Sequence, residues 1–172
     1  MKSINIFAII FATSLLILPS CLGNDAENDY SEWKALNEEY LSKAETETLD
    51  GKLKYEKIVP DWDPGIYILM QWLNDREENV NELSPISTST ITMNYTLTNI
   101  EGDTLDQGAN FQSKPNGLIT GYWTAVTNMH VNDTVNVVVP YTAGYGAYGS
   151  GKIYPFSTLI FGIRLKSIDQ FY

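Results

Sequence analysis

From Thr90 to Thr98 the chain alternates without a break. Ile91, Met93, Tyr95 and Leu97 fall on one side, and Thr90, Thr92, Asn94 and Thr96 on the other. A period of two marks a strand with one face buried and the other wet. Ile66 to Leu73 is a near-continuous aromatic and β-branched run, read as a buried strand. It follows a turn-rich joint from Pro60 to Gly65 and precedes a polar loop from Asn74 to Asn81. Thr134 to Val139 reads as a strand stopped by Pro140, and Ser157 to Ile168 as the last strand, alternating in its second half. Glu101-Gly102-Asp103 turns the chain. Gly117 to Met129 holds a short helical stretch, with Ala125, Val126 and Met129 at helical spacing. Gly144 to Gly151 is a loop of alternating glycines and tyrosines. Several strands, one short helix and then strands again predict an α+β domain with an antiparallel sheet.

Upstream, the pattern turns helical at Asp29, with Glu32 three residues on to close a capping box. Trp33, Leu36, Tyr40, Leu41 and Ala44 share a face, and Thr46, Thr48 and Asp50-Gly51 end the helix. Its polar face is acidic, unlike the basic face of a helix lying on a membrane. The apolar face is therefore expected to pack on the domain or on a second copy of the chain. Before it, Lys2 precedes an apolar run from Ile4 to Leu18, shorter than the roughly 20 residues of a bilayer span. The run ends in Leu18-Pro19-Ser20-Cys21, which resembles a bacterial lipobox. That resemblance implies cleavage before Cys21 and acylation of its thiol and amine. Each buried methylene of such chains adds about 0.8 kcal/mol of anchoring. The small, acidic stretch from Leu22 to Asp29 then reads as a tether. The expected organisation is a lipoprotein signal peptide over 1–20, a tether with an amphipathic helix over 21–59, and a folded domain over 60–172.

Composition narrows the function classes. Apolar residues make up 44% of the 172, enough for a packed core. Asp and Glu number 21 against 11 Lys and Arg, which argues against nucleic acid as a partner and against attachment to an anionic membrane through a basic patch. One Cys and one His exclude an internal disulfide and nearly exclude a Cys/His metal site. The loop from Gly144 to Tyr154 has the look of a flexible aromatic rim.

Six segments, in order and nearly at the expected spacing, carry a family resemblance. Ser89 to Thr96 is similar to a strand ending "V-x-Y-x-G", and Glu101 to Asp106 to a "D-G-x-x-F-D" hairpin. Gly117 to Tyr122 is similar to "x-V-I-x-G-W", and Met129 to Asn132 to "M-x-V-G". Val138 to Gly146 is similar to "I-P-x-x-x-A-Y-G", and Pro155 to Phe161 to "P-x-x-T-L-x-F". Together they resemble the FKBP-type peptidyl-prolyl cis-trans isomerases over roughly residues 60–168.

The resemblance implies an antiparallel sheet curled around one short helix, here with an N-terminal helical extension. Between sheet and helix it implies a pocket for a proline ring. Tyr95, Asp106, Ile119 and Tyr145 would act on the amide. Tyr122 would floor the ring, while Leu105, Leu118, Ile153 and Phe161 would line it. Asp106 would pair with Tyr95, and the Ile119 N–H and Tyr145 hydroxyl would donate to substrate carbonyls. The implied partners are Pro-containing polypeptide segments of exported proteins, and no cofactor or metal is implied. His130 reads as a surface residue. Four positions depart from the pattern. Tyr122 stands where the family has Trp, with Trp123 one place on; Leu105 replaces Phe; Lys152 occupies an apolar rim position; and the segment from Asp106 to Leu118 is short, with Phe111 the candidate for a further pocket aromatic. These departures imply a looser pocket and slower catalysis. They keep open an alternative in which the fold grips such segments with little turnover.

Overall fold

The computed structural model describes residues 29–171, so the expected signal peptide over 1–20, Cys21 and most of the expected tether lie outside the described residues. Helix α1 spans Ser31–Thr46 and is followed by a two-strand hairpin, β1 (Thr48–Leu49) and β2 (Lys52–Leu53). Asp50 and Gly51 turn that hairpin at φ 51° and 77°, the Asp-Gly pairing that a tight turn with two left-handed residues favours. The main sheet has six strands: β3 (Glu56–Ile58), β4 (Ile68–Trp72), β5 (Thr90–Thr98), β6 (Thr104–Ser113), β7 (Thr134–Val139) and β8 (Leu159–Gln170). Their order is β3-β4-β7-β8-β5-β6, and every neighbouring pair is antiparallel. Helix α2 (Thr120–Thr127) packs on the inner face. The sheet begins at Glu56, four residues ahead of the Pro60 joint.

The inner face follows from the period-two pattern. Ile68 and Met70 of β4, Ile91, Met93 and Leu97 of β5, Val135, Val137 and Val139 of β7, and Phe161, Ile163 and Leu165 of β8 are buried against Tyr122, Ala125, Val126 and Met129. Gly121 allows the helix to approach, because a Cβ there would collide with the Val139 side chain and come within 3.2 Å of the Ala143 carbonyl. The unbroken Val137-Val138-Val139 run has its own explanation. Val138 faces outward with Leu69, and both are covered by Ala44 of α1 and by Tyr55, with Tyr40, Leu41 and Tyr67 around them. A strand buried on both faces reads as continuous apolar sequence.

Helix α1 therefore packs on the domain through Trp33, Tyr40, Leu41 and Ala44 as the spacing predicts, with one exchange. Leu36 is 46% exposed and Asn37 is fully buried in its place. The Asn37 Oδ1 accepts from the Thr158 N–H at 2.7 Å and its Nδ2 donates to the Trp33 carbonyl at 2.8 Å. The capping box does not form. Asp29 accepts from the Ser31 N–H at 3.0 Å, while the cap position itself falls to Tyr30, which makes no side-chain cap.

Candidate active site

Two irregularities in β6 build one wall of the site. Met93 pairs with Phe111 and Tyr95 with Gly108, so β6 carries one residue more than β5 across this stretch. Asn110 absorbs the bulge at φ 53°, its N–H bonded to Asn94 Oδ1 at 2.8 Å. The extra residue inverts the alternation, so Phe111 and Asp106 both end up opposite inward-facing residues of β5, Met93 and Leu97. Regular alternation would place two residues five apart on opposite faces. Gly108 completes the arrangement: a Cβ there would lie 2.6 Å from the Tyr95 ring.

The result is a cleft of about 360 Å³ lined by Tyr95, Leu97, Asp106, Phe111, Gly117, Leu118, Ile119, Tyr122, Tyr145 and Phe161. Tyr122 is 4% exposed and lies at its base. Its ring meets Phe161 edge-on at 4.9 Å and Tyr95 edge-on at 6.1 Å, and its hydroxyl contacts Met93 Sδ at 2.9 Å. Phe111 meets the Tyr95 ring edge-on at 5.5 Å. These T-shaped contacts join Phe161, Tyr122, Tyr95 and Phe111 into one aromatic cluster. At the lip, the Tyr95 hydroxyl donates to Asp106 Oδ2 at 2.7 Å, and Asp106 Oδ1 accepts from the Gln107 N–H at 2.8 Å. Burial, together with the bond to Asp106 and that carboxylate's charge, pushes the Tyr95 hydroxyl up to about 12, so it remains a donor well beyond neutral pH. Burial first, and then the charge of Tyr95, raises Tyr122 further still.

Ile119 caps α2 in extended conformation, its carbonyl taking the Trp123 N–H at 3.0 Å. Its own N–H has no acceptor among the described residues and stands at the cleft wall. A free helix N-terminal N–H beside an apolar box is suited to bind a carbonyl oxygen.

Of the residues singled out in the sequence, Tyr95, Asp106, Leu118, Ile119, Tyr122, Tyr145 and Phe161 are brought together here. Leu105 and Ile153 do not line the cleft; both pack against the core at its margin. Leu105 falls at a second break in register, between Leu97 and Thr98, and lines a smaller cavity with Trp33, Asn99, Glu101, Asp103, Lys152, Tyr154 and Ser157. Lys152 is thus in that cavity and not on the rim of the cleft. Leu97 and Gly117 were missed. Leu97 carries the signal of any inward strand residue, and Gly117 carries none. Trp123 does not take the floor: it stacks on Trp62 at 4.4 Å and 17°, outside the cleft. Trp123→Ala should therefore change peptide turnover less than threefold while lowering the melting temperature, since a stacked aromatic pair contributes about 0.5–1.5 kcal/mol.

Residues 82–166 match the family model described as FKBP-type peptidyl-prolyl cis-trans isomerase. The chain is 34% identical over 89 residues to the FKBP-type 22 kDa peptidyl-prolyl cis-trans isomerase of Escherichia coli (strain K12), a match covering 49% of this chain and 43% of that protein. It thus spans less than half the length of this curated relative. Among solved structures, a peptidyl-prolyl cis-trans isomerase from Pseudomonas syringae pv. tomato superposes with a TM-score of 0.68 at 22% identity, over 86% of this chain and 100% of the other. FkpA from Escherichia coli superposes with a TM-score of 0.68 at 23% identity, over 85% of this chain and 63% of the other. These two establish the fold. The antiparallel sheet closed on a short helix is the fold this chain shares with both structures. Over residues 82–166 the chain is thus similar to the FKBP-type peptidyl-prolyl cis-trans isomerases, in sequence as well as in fold.

Proposed function

We propose that this protein is a peptidyl-prolyl cis-trans isomerase that assists folding of exported proteins, held in the bacterial cell envelope by acyl chains on Cys21. The observation that carries the catalytic part is the cleft itself: an aromatic box floored by Tyr122, with the Tyr95–Asp106 pair and the free Ile119 N–H at its lip. An X-Pro bond isomerises through a twisted amide against a barrier of about 18–20 kcal/mol. Twisting removes the resonance that makes the planar amide polar. A dry apolar box consequently suits the twisted form better than the planar one, and differential binding of this kind is catalysis. Tyr122 and Phe161 hold the proline ring, the Ile119 N–H fixes the carbonyl before it, and Asp106, oriented by Tyr95 and Gln107, sets the field at the amide edge. No proton is transferred and no bond is broken, which is why His130 has no part in it.

The exposed aromatic rim, Tyr145, Tyr148 and Phe111, also favours a second reading, a module that grips Pro-containing segments with little turnover. Proline-limited refolding of a reduced and unfolded substrate protein separates the two. Acceleration of the slow phase that is lost in Asp106→Leu supports the isomerase. Binding of an unfolded Pro-rich chain with an unaltered slow phase supports the gripping module. The anchor is tested independently. Cys21→Ser should move the protein from the membrane to the soluble fraction, and an intact Met1 on the native protein would rule the lipid anchor out.

A further inference from the structure

Tyr145 reaches the cleft from a glycine-rich segment with turns of its own, Gly146 N–H to the Tyr141 carbonyl and Gly149 N–H to the Tyr145 carbonyl among them. The segment is tied to the rest of the domain near its C-terminal end. Residues 140–158 link β7 to β8 and carry four glycines, three of them at positive φ. Phe156 is held at φ 61°, a conformation a bulky residue adopts only when its surroundings over-determine it. Those surroundings include α1. Trp33 Nε1 donates to Ser157 Oγ at 3.0 Å, and Ser157 Oγ donates in turn to the Tyr154 carbonyl at 2.7 Å. The buried Asn37 takes the Thr158 N–H. Lys34 Nζ lies 5.2 Å from the centroid of the Phe156 ring, which also meets Tyr141 edge-on at 5.4 Å. Tyr154 packs edge-on to Trp33 at 5.9 Å. From this anchored stretch the Phe156 N–H reaches the Gly146 carbonyl at 2.9 Å, one residue from Tyr145.

Resting on the reading of the cleft as the isomerase site, we infer that α1 is a positioning element of that site. Trp33 and Asn37 clamp residues 154–158 and thereby hold Tyr145 over the proline box. The composition of the helix supports this. A fully buried Asn among packing positions, with Leu36 left in solvent, gains less apolar burial than the reverse would. What it provides is an acceptor for the Thr158 N–H at the entry to β8. Buried amides are retained where they satisfy a backbone group that would otherwise be orphaned.

The test is backbone hydrogen exchange on the full chain, read beside KM and kcat for a prolyl peptide. Two variants are used. Asn37→Leu fills the same volume without the acceptor, and the double variant Trp33→Phe with Ser157→Ala keeps an aromatic ring and removes both bonds of the Ser157 hydroxyl. Both should speed exchange across 144–157 by at least about 5- to 10-fold, the effect on a local opening of losing about one net hydrogen bond's worth of stabilisation. Exchange in α2, β5 and β7 should stay unchanged, and KM should rise about as much as exchange while kcat changes less. Lys43→Ala, on the exposed side of the same helix, should alter neither. Unchanged exchange across 144–157 would overturn the inference, and so would a loosened loop with an unchanged KM. Exchange is read without substrate. A wild-type protein without turnover would therefore contradict the isomerase reading, while the clamp would stand or fall on exchange and on the affinity of the same peptide.

Discussion

Tyr122→Ala should cut isomerisation on the order of 100-fold and leave a much weaker fold. The ring is buried and edge-on to both Tyr95 and Phe161, so its removal empties the centre of the aromatic cluster. Emptying an aromatic core site costs about 3–5 kcal/mol. Catalysis suffers separately, because the proline ring loses its floor. Roughly 100 Å² of lost apolar contact at about 25 cal/mol per Å² is about 2.5 kcal/mol, or on the order of 100-fold in kcat/KM. Tyr122→Phe separates the two effects. It keeps the floor and gives up only the hydroxyl contact with Met93 Sδ, so turnover should stay within a few-fold of wild type. Stopped assays and thermal melts on the two variants check both halves of the expectation.

The second large effect lies away from the cleft. Asp133 is fully buried and accepts from Asn79 Nδ2 at 2.8 Å, the His130 N–H at 2.8 Å and Asn74 Nδ2 at 3.0 Å. Asn74 in turn accepts the Thr134 N–H at 2.8 Å, so one carboxylate ties the 74–79 loop to the entry of β7. Burial pushes the Asp133 carboxyl up, but the donors from Asn79, His130 and Asn74 together outweigh it and hold the carboxyl below its ordinary range. A depressed folded value means that the contribution is complete above the unfolded value of about 3.9 and is lost as pH falls through the lower folded value. Asp133→Ala strands three donors at roughly 1 kcal/mol each, so the loss near neutral pH should be about 3 kcal/mol. Denaturant melts between neutrality and pH 3 would show the gap between wild type and variant closing at the acid end. A gap that widened there would contradict this account of Asp133.

Much of this architecture was legible in the sequence, for reasons that differ by element. β5 was read to the residue because one face is buried and the period of two is therefore strict, and β7 because Pro140 stops its continuous apolar run. β6 was not readable by pattern. It lies at the edge of the sheet, most of its residues are exposed, and its bulge at Asn110 breaks the alternation. Phe111 could be named as a candidate but not assigned to a face, since only the bulge places it beside Asp106. β3 is three residues of an edge strand with mixed polarity, and nothing local marks it. The choice between Tyr122 and Trp123 turned on a tertiary contact, the stacking of Trp123 on Trp62, which no local spacing reveals. Leu36 was placed on the packing face for the same reason: Asn37 is buried instead, and its partner is 121 residues away.

The cleft is the part of the account on which the function rests, and it can be tested at equilibrium without a coupled enzyme or a refolding substrate. In exchange spectroscopy on an X-Pro peptide, the cis and trans resonances interconvert over tens of seconds when no catalyst is present. Catalytic amounts of wild-type protein should bring that exchange into the sub-second range, with Tyr122→Phe close behind and Tyr122→Ala indistinguishable from peptide alone. Cis and trans populations exchanging no faster with the wild-type protein than without it would contradict the central claim.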